Sequence, residues 1–295
     1  MTDKKRIYAL GFFDGVHTGH QALLAQCRNL AGQLNCQTAA ITFDAHPQSL
    51  FSENPPTLIT TCHDRQQLLR HYGMEHIHCF PVSKEVMSTP WEAFLMLLVK
   101  EGAVGFVCGD DFHFGHRGEG NAAKLQEFCS ARALPCVIVP EQTLHGRRIS
   151  STLIRSLIDG GDVESAAAFL GHPHLLSGTV VPGQQLGRKL GIPTANLLIP
   201  AGIVVPKFGV YACRVIVDGK RYAAVANVGT RPTVNGTGIT VEPWILDFSG
   251  DLYDREIQLE FHQFLRPETK FDNLAALTQQ IHRDAALTRL YFENK

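Results

Sequence analysis

The stretch GFFDGVHTGH, Gly11 to His20, sets two histidines three residues apart among glycines at 11, 15 and 19. The apolar run RIYALGFF leads into it and the helix-patterned HQALLAQCRNLAGQL follows, so it lies where a strand hands over to a helix. A helix start offers unpaired N–H groups and a partial positive charge, and both suit a phosphate. With His20 in the first helical turn, His17 and His20 face one anion, and the glycines let backbone approach it. A tight turn with two hydrogen-bonded histidines would use the same residues. Two later segments weigh toward the anion. CGDDFHFGHRGEG again follows an apolar strand and precedes a helix, and ISSTLIR places Ser150, Ser151, Thr152 and Arg155 at another helix start, a capped anion site.

A second constellation is GQQLGRKLGIPTAN, in which Gly183, Gly187 and Gly191 alternate with Arg188 and Lys189. A glycine-rich basic loop can wrap a polyphosphate in its N–H groups, although no GK[ST] follows to make a Walker A sequence. Thr194 and Asn196 are two apart and share one face of an extended segment, offering Mg²⁺ a hydroxyl and an amide oxygen. A basic surface loop with a turn fits the same composition equally well. Two other signals carry less. His76 and His78 of HIHC share one strand face while Ile77 and Cys79 share the other, which a half-buried strand explains without zinc. Glu242 in ITVEPW reads, on bare sequence, as a solvent-facing strand residue.

These loops need a frame to hold them. Strand-like TAAITF, HIHCF, VGFVCG and PCVIVP alternate with helix-like DRQQLLRHYG, PWEAFLMLLVKEG and NAAKLQEFCSARA. Such β-α-β units imply a parallel sheet with right-handed crossovers, an open doubly wound α/β domain up to about residue 148. STLIRSLIDGGDVESAAAFLG is helical with a Gly-Gly break. The texture then changes to short strands with turn signals, among them the Asp218-Gly219 hairpin, and no helices between them. A small antiparallel barrel is the economical arrangement. Leu274, Leu277, Ile281 and Ala285 form one stripe of a closing helix, which packs on the barrel. The boundary falls near GHPHLL, giving domains 1–171 and 172–295.

The gross numbers fit. A chain of 295 residues is long enough for two cores, and 44% hydrophobic against 19% charged residues is ordinary globular composition. A net charge of -1 supplies no basic field for nucleic acid or a membrane surface, so phosphate binding must be local. The cysteines sit in apolar contexts such as GFVCGDD, with no CxxC, which reads as reduced core thiols in a cytoplasmic protein. The basic start runs straight into the glycine-rich turn without a signal-peptide core, and no apolar run is long enough to span a bilayer. A monomer is slightly favoured.

GFFDGVHTGH resembles the HxGH signature of nucleotidyltransferases, and ISSTLIR resembles their second signature. With TFDAHP and GDDFHFG between them, the set is similar to the adenylyltransferase module of bacterial bifunctional riboflavin kinase/FAD synthetases. GRKLGIPTAN, GVYA, NVGTRPT, VEPWILDF and FLRPETKF follow in the order seen in riboflavin kinases and cover nearly all of 178–272. The resemblance implies a Rossmann-like nucleotidyltransferase domain followed by a six-stranded kinase barrel with a terminal helix. It implies that ATP phosphorylates riboflavin to FMN and then adenylylates FMN to FAD with release of pyrophosphate. Mg²⁺ would assist, with FMN and FAD as product ligands.

In the first half, the resemblance implies that His17 and His20 hold ATP phosphates and that Ser151, Thr152 and Arg155 hold the β- and γ-phosphates. Gly11, Phe13 and Gly15 would line the nucleotide with backbone, and Asp111 lies in the nucleotide or metal region. In the second half, Glu242 matches the catalytic base, Thr194 and Asn196 the metal ligands, and Arg188 a phosphate partner within the Gly183–Gly191 loop. Phe208, Tyr211 and Arg266 are pocket candidates. The chain departs from the family pattern at Phe12, where Asn is common, at Asp44 and Ala45, at Gln184 and Gln185, and at Trp244 after the glutamate. Two other readings follow from those departures: a kinase whose adenylyltransferase half is weakened, and a non-catalytic flavin- or nucleotide-binding regulator. Glu242 weighs against the regulator, since binding needs no base; both histidines and the full ISSTLIR weigh against kinase alone.

Overall fold

The computed structural model describes residues 5–183, 191–233 and 236–295. The backbone divides into two compact units, one of residues 1–58 and 62–151, the other of 59–61 and 152–295.

The first unit is built on five parallel strands, β1 (Arg6–Leu10), β2 (Gln37–Phe43), β3 (His76–Phe80), β4 (Ala103–Gly109) and β5 (Cys136–Val139), in the order β3-β2-β1-β4-β5. Period-two alternation gives β1 two apolar faces. Ile7 and Ala9 pack with Leu24, Cys27 and Ala31 of α1 (Thr18–Gln33) and Leu69 of α2 (Cys62–His71). Tyr8 and Leu10 pack on the other face with Phe94, Leu95 and Leu98 of α4 (Trp91–Lys100) and Leu125 and Phe128 of α5 (Ala122–Ser130). A one-turn helix, α3 (Lys84–Met87), capped by Ser83, connects β3 to α4. A sheet covered on both faces is the doubly wound arrangement the βαβ pattern predicts. Each fully buried Leu or Ile contributes roughly 1.5–3 kcal/mol over leaving it exposed. The sequence does not foreshadow α3 or the small hairpin β6 (Thr143–Leu144) and β7 (Arg147–Arg148), which turns at His145 and Gly146, both at positive φ.

In the second unit, α6 (Ser151–Gly160) contributes all but its first residue. It is followed by α7 (Val163–Leu170), whose Val163 enters the barrel core. The barrel closes in the order β10-β11-β12-β9-β8-β13, from β8 (His174–Val181), β9 (Asn196–Leu198), β10 (Gly209–Val217), β11 (Lys220–Thr233), β12 (Gly236–Ile245) and β13 (Glu256–Arg266). The expected six-stranded closure is present. Asp218 (φ 49°) and Gly219 (φ 75°) join β10 to β11 with two left-handed residues, as a primed hairpin turn requires.

The last helix, α8 (Leu274–Glu293), corrects one expectation. Leu274 is 65% exposed, and the buried positions are Asp284, Ala285 and Thr288. The apolar stripe meets the barrel only from Leu277 onward, because Leu274 is the first helical residue, next to the Asn273 cap.

Candidate functional sites

The loop after β1 is strained. Phe13 (φ 60°), Gly15 (φ 76°) and Val16 (φ 40°) take left-handed backbone within four residues, and for a β-branched residue such as Val16 this is costly. The turn folds the Phe13 ring over Gly11, where a Cβ would stand 2.7 Å from the ring. His17 caps α1, its Nδ1 accepting the His20 N–H at 3.2 Å, which leaves Nε2 to donate when the ring is neutral. The two imidazoles stack, with centroids 3.5 Å apart and planes at 13°. Burial, then the neighbouring His17 and Arg65, hold the His20 pKa well below the ordinary histidine value. His20 is therefore a neutral ring, with a buried Nδ1 that has no hydrogen-bond partner among the described residues.

A cavity of about 340 Å³ opens over this loop at the C-terminal ends of β1, β4 and β5, the usual ligand position in open α/β sheets. Gly11, Phe13, His17, His20, Asp111 and Ser151 all line it, and Ser151 Oγ donates to the Asp14 carbonyl at 3.1 Å. Gly15 is buried in the turn and is not among the lining residues. Thr152 and Arg155 follow on α6 in the second unit, where Arg155 Nη2 donates to Thr152 Oγ1 at 3.3 Å.

Sequence reasoning missed Arg148. It lines the same cavity and pairs with Asp111 at 2.5 Å and Glu141 at 2.6 Å. The signal was the pair Arg147–Arg148 just before ISST, which the hairpin β6–β7 presents. Phe12, another lining residue, lies edge-on to His46 (5.4 Å) and beneath the Arg65 guanidinium (4.5 Å). His76 and His78 use ring nitrogens on Gln37 and the Tyr8 hydroxyl, each at 3.0 Å.

The second unit carries two cavities that share Thr194. One, of about 240 Å³, lies between the outside of the barrel and α8. Strand alternation places Val210, Val225, Asn227, Glu242, Trp244 and Arg266 on that face, with Asn227 directly across from Glu242. Leu277, Ile281 and Asp284 of α8 close it, and Phe271 adds an aromatic wall. The half-buried Glu242 lines this small space together with Thr194, and so do two further carboxylates, Glu268, which accepts from Asn227 Nδ2 at 3.2 Å, and Asp284. Arg266 is not a free ligand contact. Its Nε and Nη2 donate to both Asp284 oxygens, the shortest contact being 2.8 Å, and Gln280 donates to Asp284 as well.

The other cavity, of about 680 Å³, is lined by Gly191, Pro193, Thr194, Phe248, Asp251 and Tyr253 among others. Thr194 pairs with Trp244 as a bridge that holds it beside β12. Asn196 begins β9, and its amide lies against Gly183, where a Cβ would come within 2.2 Å of Asn196 Nδ2. Gly187, Arg188, Gln184 and Gln185 lie outside the described residues.

Tyr211 lines neither cavity. It alternates with Val210 and so points into the barrel, fully buried, its hydroxyl donating to the Lys207 carbonyl. Phe208, just before β10, is 42% exposed and lines neither.

An α/β unit with a phosphate-suited cavity at its strand ends and a closed barrel whose cavity is lined by carboxylates and the Thr194 hydroxyl fit a two-module, nucleotide-dependent transferase. Comparison with known proteins gives the same division. The family model described as FAD synthetase matches residues 1–153, and the one described as riboflavin kinase matches 170–292. A bifunctional riboflavin kinase/FMN adenylyltransferase of Listeria monocytogenes is 35% identical over 295 residues, covering 99% of this chain and 94% of the relative. One from Escherichia coli K12 is also 35% identical, covering 97% and 92%. A solved Streptococcus pneumoniae structure, described as a macrolide-efflux protein, superposes with a TM-score of 0.88 at 30% identity over 98% of this chain and 95% of its own. Among the described residues, no helix is long and apolar enough to cross a membrane. The chain belongs to the bifunctional riboflavin kinase/FMN adenylyltransferase family. Both enzymatic modules are present, and the chemistry is flavin cofactor synthesis, from riboflavin to FMN and from FMN to FAD, with ATP as the donor.

Proposed function

We propose that the two reactions run at two separate sites, adenylyl transfer over the Gly11–His20 loop and phosphorylation beside Glu242. The observation that carries this is the occurrence of a phosphate-suited cavity and a carboxylate-bearing cavity in different compact units. The functional boundary is placed at 171/172, where Gly171 ends α7 in left-handed backbone (φ 76°).

In the first site, the phosphate of FMN attacks the α-phosphorus of ATP and pyrophosphate leaves. No side chain takes a covalent part, so catalysis is positioning and charge stabilisation. His17 and His20 donate hydrogen bonds to the phosphates as neutral rings. Positive charge comes from the α1 N-terminus, from Arg148 and, as the family resemblance implies, from Arg155. Ser151 and Thr152 hold phosphate oxygens, Gly11, Phe13 and Gly15 shape the loop, and Asp111 orients Arg148.

In the second site, riboflavin lies between Trp244, Phe271 and Ile281 with its ribityl end toward Glu242, and ATP occupies the larger neighbouring cavity. Glu242 accepts the proton of the 5′-hydroxyl as that oxygen attacks the γ-phosphorus, and ADP leaves. Thr194, shared by the two cavities, stands where the transfer occurs. Thr194 and Asn196 would hold Mg²⁺. Their donors are neutral oxygens, which fit an ion whose remaining ligands are phosphates and water. Mg²⁺ would neutralise charge on the β- and γ-phosphates. Gly183 leaves room for the Asn196 amide, and the family resemblance implies that Gly187, Arg188 and Gly191 help bind the phosphates. The compartment proposed is the cytoplasm, since the cysteines sit in apolar sequence contexts without a CxxC pair.

The test is a pair of substitutions read by chromatography of the flavins. Glu242→Gln is expected to slow FMN formation by about 10²–10⁴-fold and leave conversion of supplied FMN to FAD intact. His20→Ala is expected to do the reverse. If either folded variant loses both steps, the two-site assignment is wrong.

A further inference from the structure

Cys62 is the first residue of α2, and Cys79 is the fourth residue of β3. Their sulfurs lie 3.2 Å apart, and both residues are half-buried, within reach of a small reagent. A disulfide needs about 2.05 Å, so the sulfurs must close by roughly 1.2 Å, within the play of side-chain torsions at a helix start. Gln66 Nε2 donates to Cys62 Sγ at 3.3 Å, and the Arg65 charge lies beside both sulfurs. The other close pair, Cys129 and Cys136, differs in having Cys129 only 1% exposed.

We propose that Cys62 and Cys79 form a reversible intramolecular disulfide that is coupled to the nucleotide loop. The coupling runs through Arg65, one turn on from Cys62 in α2. Its guanidinium donates to the Phe43 carbonyl and stacks on Phe12, which lines the cavity over Gly11–His20. Drawing the first turn of α2 toward β3 therefore moves the group that holds Phe12. The oxidant is a low-molecular-weight disulfide of the glutathione type. Cys62 attacks it, forming a mixed disulfide and releasing one thiol. Cys79 then attacks the Cys62 sulfur, forming the internal bridge and releasing the second thiol. Two protein thiols are oxidised to one disulfide, the reagent is reduced to two thiols, and the two thiol protons end on them. Burial and the adjacent Cys62 push the Cys79 thiol up to about 12, and the part due to Cys62 is gone once Cys62 carries the mixed disulfide, so Cys62 attacks first and Cys79 loses its proton to attack second.

The experiment equilibrates the full chain in glutathione buffers running from mostly reduced to mostly oxidised, alkylates the remaining thiols, and maps peptides by mass. FAD formation from supplied FMN and FMN formation from riboflavin are measured in parallel. The expected result is a cross-linked Cys62–Cys79 peptide lighter by two hydrogens, a several-fold fall in FAD formation reversed by dithiothreitol, and unchanged FMN formation. Cys62→Ser and Cys79→Ser should each keep FAD formation in oxidised buffer. The wild-type peptide map decides the matter even if a variant folds poorly. The proposal is overturned by absence of the cross-link, by a bridge at Cys129–Cys136 alone, by glutathione remaining attached to Cys62, or by a bridged protein with undiminished FAD formation.

Discussion

Replacing Asp284 by Asn tests how the kinase cavity is held. Asp284 is 1% exposed on α8 and accepts Arg266 Nε and Nη2 as well as Gln280 Nε2, so three donors converge on one carboxylate. Asn keeps the shape but removes the charge and one acceptor, leaving the Arg266 guanidinium with an amide. Removing one partner of a fully buried pair costs about 3–5 kcal/mol. Because the Arg266 side chain keeps 19% exposure, water offsets part of this, and about 2–3 kcal/mol is expected. For a unit of this size that is a fall of roughly 4–12 °C in Tm. The assay is thermal unfolding of the full chain read by Trp244, which lines the cavity, in a Trp91→Phe background so that only the barrel unit reports. The KM for riboflavin should rise together with the loss of stability, and FAD formation from FMN should not change. Adding Arg266→Gln should recover part of the loss, since the orphaned charge is then gone. A Tm within a degree of the parent, or a double variant as unstable as the sum of the singles, would show that the Arg266–Asp284 pair does not hold the cavity.

Two further outcomes are expected. His174 is fully buried at the start of β8, and burial, then His172, bring its pKa down to about 3. Since the folded value lies below the unfolded one of about 6.5, the unfolded chain binds the extra proton, and stability falls as pH drops below 6.5. About 2 kcal/mol should be lost from this group between pH 7 and 5, seen by urea unfolding, and His174→Leu should remove that part of the slope. Gly183→Ala places a methyl 2.2 Å from Asn196 Nδ2, so the amide must move. Its FMN formation should need more Mg²⁺ and ATP, while FAD formation from FMN stays at the parent level. An unchanged Mg²⁺ dependence would remove Asn196 from the metal site.

The architecture was largely legible because two simple periods carried it. Ile7 and Ala9 against Tyr8 and Leu10 show a strand covered on both faces, and Asp218-Gly219 names its own turn. His17 and His20 were legible as partners because spacing of three at a helix start brings two rings together. What escaped depended on which side of a strand faces a ligand. Tyr211 and Val210 are neighbours in sequence, yet one fills the barrel and the other lines the cavity, and no local pattern distinguishes inside from outside where both are apolar. Arg266 lines the cavity as expected, but its pairing with Asp284 escaped because that partner lies 18 residues away on another element. Arg148 was overlooked because a two-residue strand has no period to detect.

FMN and FAD formation are assigned to two sites that work independently, which complementation measures. Glu242→Gln and His20→Ala proteins are each given riboflavin, Mg²⁺ and ATP, then mixed, and the flavins are resolved by chromatography. Two sites predict that Glu242→Gln alone leaves riboflavin, that His20→Ala alone stops at FMN, and that the mixture makes FAD. FAD from either variant alone, or none from the mixture, would contradict it.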